Sequence, residues 1–344
     1  MQIENHQIGE KVFIIAELSA NHNQDFDIAM KTVKAAKESG VDAIKLQTYS
    51  ADTITIDSDN EYFQIKQGTI WDGTTLYKLY KQAYTPWEWQ PKLKKYAEEL
   101  GLICFSSPFD KSAVDFLEEI NVAAYKVASF EITDIPLIEY IASKGKPVII
   151  STGIAILAEI EEAVNACRRV GNNGIALLKC TSSYPAPIEE ANLLTIPNLK
   201  DTFSVVPGLS DHTLGSDVAI AAVALGAKII EKHFILNRKL GSPDSSFSME
   251  PAEFKQMVNS IRNVEKALGT INYKLTPKIE KSRIFARSFF IVKDVKAGEL
   301  ITEENIRSIR PGYGLYPKYY NQIIGKKFRK DIKLGTPLNW EMFE

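Results

Sequence analysis

The chain has 344 residues, 45% of them hydrophobic and 24% charged. That balance excludes disorder and collagen-like order and suits a soluble protein with one large and one small domain. The 41 basic and 43 acidic side chains give a formal charge of −2, so no polyanion-binding surface and no nucleic-acid partner are expected. Cys104, Cys167 and Cys180 are scattered and odd in number, and form neither a disulfide framework nor a zinc motif. The N-terminus, MQIENHQIGEK, is polar and charged, and no apolar run reaches the ~18 residues of a membrane helix. A cytoplasmic protein with no membrane association is expected.

Short apolar or β-branched runs recur along the first 234 residues: VFIIAEL (12–18), AIKLQTY (43–49), LICFSS (102–107), AAYKVAS (123–129), PVIIST (147–152), IALLKCT (175–181), FSVVPGLS (203–210) and KIIEKHF (228–234). Helical patterns lie between them. Residues 27–39 place Ile28, Met30, Val33 and Ala36 on or near one face, with Gly40 as the stop. Residues 86–100 begin at Pro86 and end before Gly101. Asp110 is a candidate cap for 111–119, and 156–170, 216–225 and 251–267 complete the set. Eight alternating units predict an α/β fold of the (β/α)8 TIM-barrel type. The rival is a doubly wound open sheet, but AELSANH follows the first strand where that fold needs a glycine-rich turn.

The pattern changes after residue 268. Residues 269–283 read as a polar linker, and 284–344 as a small, mostly β domain with a thin core of its own. Two similar turn segments, KDVKAGELIT and KDIKLGTPLN, recur inside it.

Reactive side chains of a barrel sit at the C-terminal ends of its strands, and polar residues gather there: Glu17, Ser19 and His22; Lys45 and Gln47; Ser106 and Ser107; Lys126, Ser129 and Glu131; Ser151 and Thr152; Cys180 to Tyr184; Ser210 to His212; Glu231 and His233. Lys45 and Lys126 lie in apolar runs, where an ammonium is costly unless it meets an anion. Each can be half of a buried salt bridge, to Glu17 or Glu131. Together, with hydroxyls at neighbouring strand ends, they point to a pocket for phosphate or carboxylate. His212 and His233 end successive strands about 4.8 Å apart. They can share a divalent ion with positions left open for water and substrate, or be hydrogen-bonded core residues. His22 is a loop residue or a site donor, and His6 is surface. Glu17 and Glu131 are acid–base candidates or partners of the lysines. Cys104 and Cys180 read as core residues rather than nucleophiles.

In order, FIIAELSANHN, DAIKLQTY, CFSSPFD, AYKVASFE, VIISTGIA, LLKCTSSYPAP, GLSDHTLG and IIEKHFIL resemble the sialic acid synthase family, whose members condense phosphoenolpyruvate into nine-carbon keto sugars. ARSFFIVKDVKAGELITEENIRSIRPGYGL is similar to that family's antifreeze-like SAF domain, so the likeness spans about residues 10–344. AELSANH, IWDGTTLYKLYKQAYTPWEW and Ser182, where many neuraminate synthases carry Asn, resemble the branch that makes pseudaminic acid.

The resemblance implies condensation of phosphoenolpyruvate with the open-chain form of 2,4-diacetamido-2,4,6-trideoxy-altropyranose. N-acetylneuraminate or legionaminate synthesis is the alternative, and a class I aldolase with a Schiff base on Lys126 a more remote one. The resemblance also implies a divalent metal on His212 and His233, Mn2+ or else Mg2+ or Co2+. It assigns phosphoenolpyruvate to Lys45, Gln47, Ser107, Lys126, Ser129, Ser151, Ser182 and Ser210. Glu17, Glu131, Tyr184 and Asp244 would face the sugar or the reacting centre. Arg310 would reach into the barrel of a partner subunit, making a domain-swapped homodimer.

Overall fold

The eight apolar runs become the eight parallel strands of a closed barrel in the computed structural model, which describes residues 1–344. They are β1 Phe13–Glu17, β2 Ala43–Thr48, β3 Ile103–Pro108, β4 Tyr125–Val127, β5 Val148–Ser151, β6 Ile175–Cys180, β7 Val206–Asp211 and β8 Ile229–His233. Strand order follows chain order, and β8 closes against β1 with Glu231 opposite Ile15 and His233 opposite Glu17. Closure excludes the open-sheet rival.

One helix follows each strand as the outer layer: α1 Phe26–Glu38, α2 Gln90–Glu99, α3 Lys111–Glu119, α4 Ile135–Ala142, α5 Leu157–Arg169, α6 Thr195–Phe203, α7 Asp217–Ala224 and α8 Pro251–Leu268. The Asp110 carboxylate accepts from the amides of Ser112 and Ala113 and so caps α3 as the sequence predicts. In α1 the buried stripe runs through Ala29, Thr32, Val33 and Ala36 rather than Ile28 and Met30, since small residues let a helix lie close to the sheet. The sequence patterns above include neither α4 nor α6. The first, IPLIEYIA, is too uniformly apolar to show a period, and Pro197 interrupts the second.

Side chains alternate along each strand between the barrel interior and the helix layer. Gly208 on β7 is required by the interior: a Cβ there would lie 2.4 Å from Leu178 Cδ2 and 2.6 Å from the Ile229 carbonyl oxygen. β4 is shorter than expected. It ends at Val127, and Ser129 and Glu131 ride on a single 3-10 turn that lifts them to the barrel mouth.

The chain divides into two compact units, Met1–Gly269 and Thr270–Glu344. The second holds one regular antiparallel sheet, β9 Ser288–Ile291 with β10 Ile306–Ile309, and otherwise isolated bridges and short helices. It is less regularly β than the sequence suggests, and the expected linker carries a short helix, Pro277–Ser282. Its core is small, centred on Phe289, Ile291, Val295, Ile306, Phe328 and Leu338. The two similar turn segments pair with each other. Val295 bridges Ile332, Lys296 meets Asp331 at 2.7 Å, and Lys333 meets Asp294 at 2.6 Å. No helix is long and apolar enough to cross a membrane.

The Gly208 contacts give a direct check. Gly208→Ala should destabilise the barrel by about 1–3 kcal/mol, because backbone blocks the new methyl, and a urea unfolding midpoint will report it.

Candidate active site

A cleft of about 660 Å³ opens at the C-terminal end of the barrel. At its base the interior-facing polar residues of seven strands meet. The register places Lys45 opposite Glu17 and Gln47 opposite Ser107. The Lys45 ammonium lies 2.5 Å from Glu17 Oε2, 3.0 Å from Glu231 Oε1 and 3.4 Å from Ser107 Oγ. Glu231 also accepts from Ser210 at 3.3 Å, and Gln47 donates to Glu17 and to Ser19, each at 3.1 Å. Burial pushes the Lys45 ammonium down to about 8 against the pull of Glu231.

Lys126 is placed differently. It is 1% exposed and donates to Ser151 Oγ at 2.7 Å and to the Val127 carbonyl at 2.8 Å. Its direct partners are neutral, and burial lowers its pKa. Beside it Ser182 donates to Ser129 at 2.8 Å, and the Ile154 amide donates to the same Ser129 oxygen at 3.1 Å. Gly153 lets these hydroxyls approach: a Cβ there would lie 2.2 Å from Ser182 Oγ and 2.6 Å from Ser129 Oγ. A buried cation with three hydroxyls around it suits an anion. The sequence offered Glu17 or Glu131 as partners for each lysine. Lys45 takes Glu17 together with Glu231, and Lys126 takes neither.

His212 and His233 face each other with ring centroids 5.4 Å apart. His212 Nδ1 lies 3.0 Å from the Thr181 carbonyl oxygen, an acceptor, so Nδ1 carries the proton and Nε2 is the open nitrogen. His233 Nδ1 is buried with no hydrogen-bond partner and lies 3.7 Å from Asp244 Oδ2. Burial, with His212, Lys45 and Lys232 nearby, holds the His233 pKa well below the usual imidazole range, which keeps it in the neutral, ligating form. For His212 burial opposes the charge, but Cys180 and the Thr181 carbonyl outweigh it and raise the pKa. Cys180 is buried as expected of a core residue, yet its sulfur is 3.8 Å from His212 Nδ1 and so belongs to the site. No group of three or more His, Cys, Asp or Glu side chains converges as a ready-made metal centre. The donor set for a divalent ion is therefore two imidazoles, one with an unpartnered nitrogen, and it fits an ion that takes its remaining ligands from water and substrate.

Tyr184 covers this pair, its ring 4.4 Å from that of His212 and 5.5 Å from that of Trp71. Trp71 comes from the long β2–α2 connection and donates its indole N–H to the Pro243 carbonyl at 3.0 Å. Asp244 accepts from Ser19 at 2.5 Å. The cleft is also lined by Tyr49, Ile54, Ile65, Leu79, Tyr80 and Phe109, an apolar wall to which the sequence gave no role, although Tyr49 and Phe109 stand in strand-end motifs. Glu131 lines the same cleft with Oε2 buried and unpartnered. His22 is not a site donor: its nitrogens meet Thr85 Oγ1 and the Gln24 amide, each at 3.1 Å, and burial lowers its pKa to about 4. Arg310 belongs to the second compact unit, where it is exposed and precedes a cis proline. Glu231 is the ion-pairing residue for which the sequence gave no role, although it stands two residues before His233 and so on the same side.

Residues 32–273 match the NeuB family and residues 286–344 the SAF domain. The chain is 48% identical to a pseudaminic acid synthase of Campylobacter jejuni over 344 residues, covering 100% of both proteins. It is 50% identical to the pseudaminic acid synthase of Helicobacter pylori over 332 residues, covering 96% of this chain and 97% of that protein. The crystal structure of N-acetylneuraminic acid synthetase from Leptospira borgpetersenii in complex with citrate superposes with a TM-score of 0.73 at 32% identity, covering 82% of this chain and 94% of the other.

Glu131 offers a test of the electrostatics without any ligand. Burial, against the pull of Lys126, raises its pKa from 4.5 to about 7. The folded state thus holds this proton more tightly than the unfolded one, and stability falls as pH rises from about 4.5 to about 7. Glu131→Gln should remove that slope and gain up to about 3 kcal/mol at pH 8 relative to pH 4, read by urea unfolding at both pH values.

Proposed function

The chain belongs to the NeuB family, and from that membership and the geometry of the cleft we propose pseudaminic acid synthesis as its function. Phosphoenolpyruvate joins the open-chain aldehyde of 2,4-diacetamido-2,4,6-trideoxy-altropyranose, water is added, and pseudaminic acid and phosphate leave. The observation that carries the reading is Lys126, a buried ammonium whose direct partners are a carbonyl and a hydroxyl, set next to the ion-paired Lys45. Full-length identity near one half to two pseudaminic acid synthases favours this sugar over those of neuraminate or legionaminate synthesis.

Lys126, Ser129, Ser151, Ser182 and Gly153 form the anion corner. Lys45, Gln47, Ser107 and Ser210 hold the other end of phosphoenolpyruvate. His212 and His233 would hold a divalent ion, Mn2+ or in its place Mg2+ or Co2+, and when bound it supplies Lewis-acid polarisation of the aldehyde oxygen. The nucleophilic C3 of the enol attacks the aldehyde carbon, and C2 takes on oxocarbenium character between its phosphate and carboxylate. Water adds at C2. Glu131 is the base: its carboxylate is free and titrates near neutrality, whereas Glu17 is engaged by Lys45. The C2 hydroxyl then gives up its proton and its oxygen forms the keto double bond as the C2–O bond to phosphate breaks. Phosphate leaves with that electron pair, the former aldehyde oxygen is protonated to a hydroxyl, and the two ammonium groups offset the phosphate charge. Orientation of both reactants in one cleft contributes several kcal/mol.

The apolar wall of Tyr49, Ile54, Ile65, Leu79, Tyr80 and Phe109 receives the methyl groups of a 6-deoxy diacetamido sugar, while Asp244, Tyr184 and Glu131 face its polar edge. A swapped homodimer completes the proposal, with Arg310 touching the acyl group of sugar bound in the barrel of the partner subunit. Exposed Phe130, Ile154, Ile156, Leu157 and Leu214 on the loops that follow β4, β5 and β7, and Ile271 and Tyr273 at the start of the second unit, supply apolar surface for such an interface. The reaction is placed in the cytoplasm.

Phosphate release with each of three candidate sugars tests the reading. The 2,4-diacetamido-2,4,6-trideoxy-altrose substrate should give kcat/KM roughly 10–100-fold above N-acetylmannosamine and above the legionaminate precursor. Activity should vanish on chelation and return with Mn2+. A preference for either of the other sugars overturns the choice of substrate, and full activity in chelator overturns the metal.

A further inference from the structure

The strands that carry His212 and His233 are joined on their reverse side by a buried ion pair that the proposed chemistry does not use. Lys232 lies opposite Asp211 in the β7–β8 ladder. Strand alternation turns both away from the barrel interior that Glu231 and the two histidines face. The Lys232 ammonium is 2.7 Å from Asp211 Oδ2 and donates to the Thr213 carbonyl at 2.6 Å. The other Asp211 oxygen accepts from the Thr213 amide at 2.9 Å and its hydroxyl at 2.8 Å. Both side chains are 1% exposed.

These bonds enclose His212. It is the middle residue of the turn 211–213, and both flanking residues are tied to one ammonium on the neighbouring strand. That ammonium belongs to the residue directly before His233. The ladder itself stops at Lys232 and Asp211, so beyond it no β7–β8 backbone pairing fixes the separation of the two imidazoles. The other ties of each histidine run elsewhere: His212 Nδ1 to the Thr181 carbonyl and the His212 carbonyl to the Ala186 amide, each at 3.0 Å, and His233 in register with Glu17 of β1, with its carbonyl 3.0 Å from the Met249 amide.

We propose that the Lys232–Asp211–Thr213 buckle is a positioning device that sets the spacing and orientation of His212 and His233 for a shared divalent cation. This rests on the two histidines being the metal ligands. Stability alone does not account for the pair, because a buried ion pair replaced by apolar residues of similar size commonly leaves stability unchanged or higher. Groups behind first-contact ligands govern affinity by fixing ligand geometry, with effects of 10–100-fold.

The test is Mn2+ titration of metal-stripped protein, with free Mn2+ read by electron paramagnetic resonance, and Tm measured on the same samples. Wild type should bind one ion per chain. The double variant Lys232→Met with Asp211→Leu, in which Thr213 loses three hydrogen bonds and some Tm with them, should bind Mn2+ about 10–100-fold more weakly while still folded. Asp211→Asn, which keeps the shape and removes the charge, should also lose at least about tenfold, and it decides the matter if the double variant does not fold. Folded variants that bind within about twofold of wild type overturn the buckle and leave the metal reading intact. Wild type that binds no Mn2+ overturns both.

Discussion

The site depends on an uneven distribution of buried charge. Two ammonium groups and two carboxylates stand inside the barrel at the level of the strand ends. Lys45 takes both carboxylates, Glu17 and Glu231, and Lys126 is left with a carbonyl and a hydroxyl. A cation removed from water without a counter-ion is costly. In this fold the cost is offset when an anion enters, so the same desolvation that weakens the empty protein strengthens its grip on phosphate or carboxylate.

The barrel makes that distribution possible. Its parallel register puts residues from eight strands at one height, and alternation divides them between interior and helix layer. On β8 the division is plain: Glu231 and His233 serve the pocket while Lys232, between them, pairs with Asp211 behind it. Small interior residues set the space. Gly208 lets β7 approach β6 and β8, and Gly153 makes room for the hydroxyls of Ser182 and Ser129. The long β2–α2 connection adds what strands cannot, most of the apolar wall and the Trp71 contact with Tyr184 that closes over the histidines.

Much of this is readable from sequence because it depends on local periods. Strands show as short apolar runs, and residues two apart share a side, which brought Lys45 to Gln47 and Glu231 to His233. Asp110 showed itself as a cap because capping is local. Partner choice is not local. That Lys45 meets Glu231 follows from barrel closure, which sets β8 two strands from β2 across β1. His22 is tied by Thr85, sixty-three residues away, and no pattern near His22 carries that fact. Ile54, Ile65, Leu79 and Tyr80 of the wall lie in a connection whose path is set by packing. In the second unit, paired turn segments were visible as repeats, but their pairing by isolated bridges rather than long strands was not, since β-rich composition does not fix ladder length.

The central claim is that Lys126 is a cation kept without a counter-ion for the sake of a bound anion. The direct measurement is calorimetric titration of phosphoenolpyruvate into wild type and Lys126→Met, with Tm of the ligand-free proteins. The account predicts a Tm unchanged or raised in the variant and an affinity weakened by about a hundredfold or more, the loss of one buried charge-assisted contact. A variant that binds phosphoenolpyruvate as tightly as wild type would contradict it.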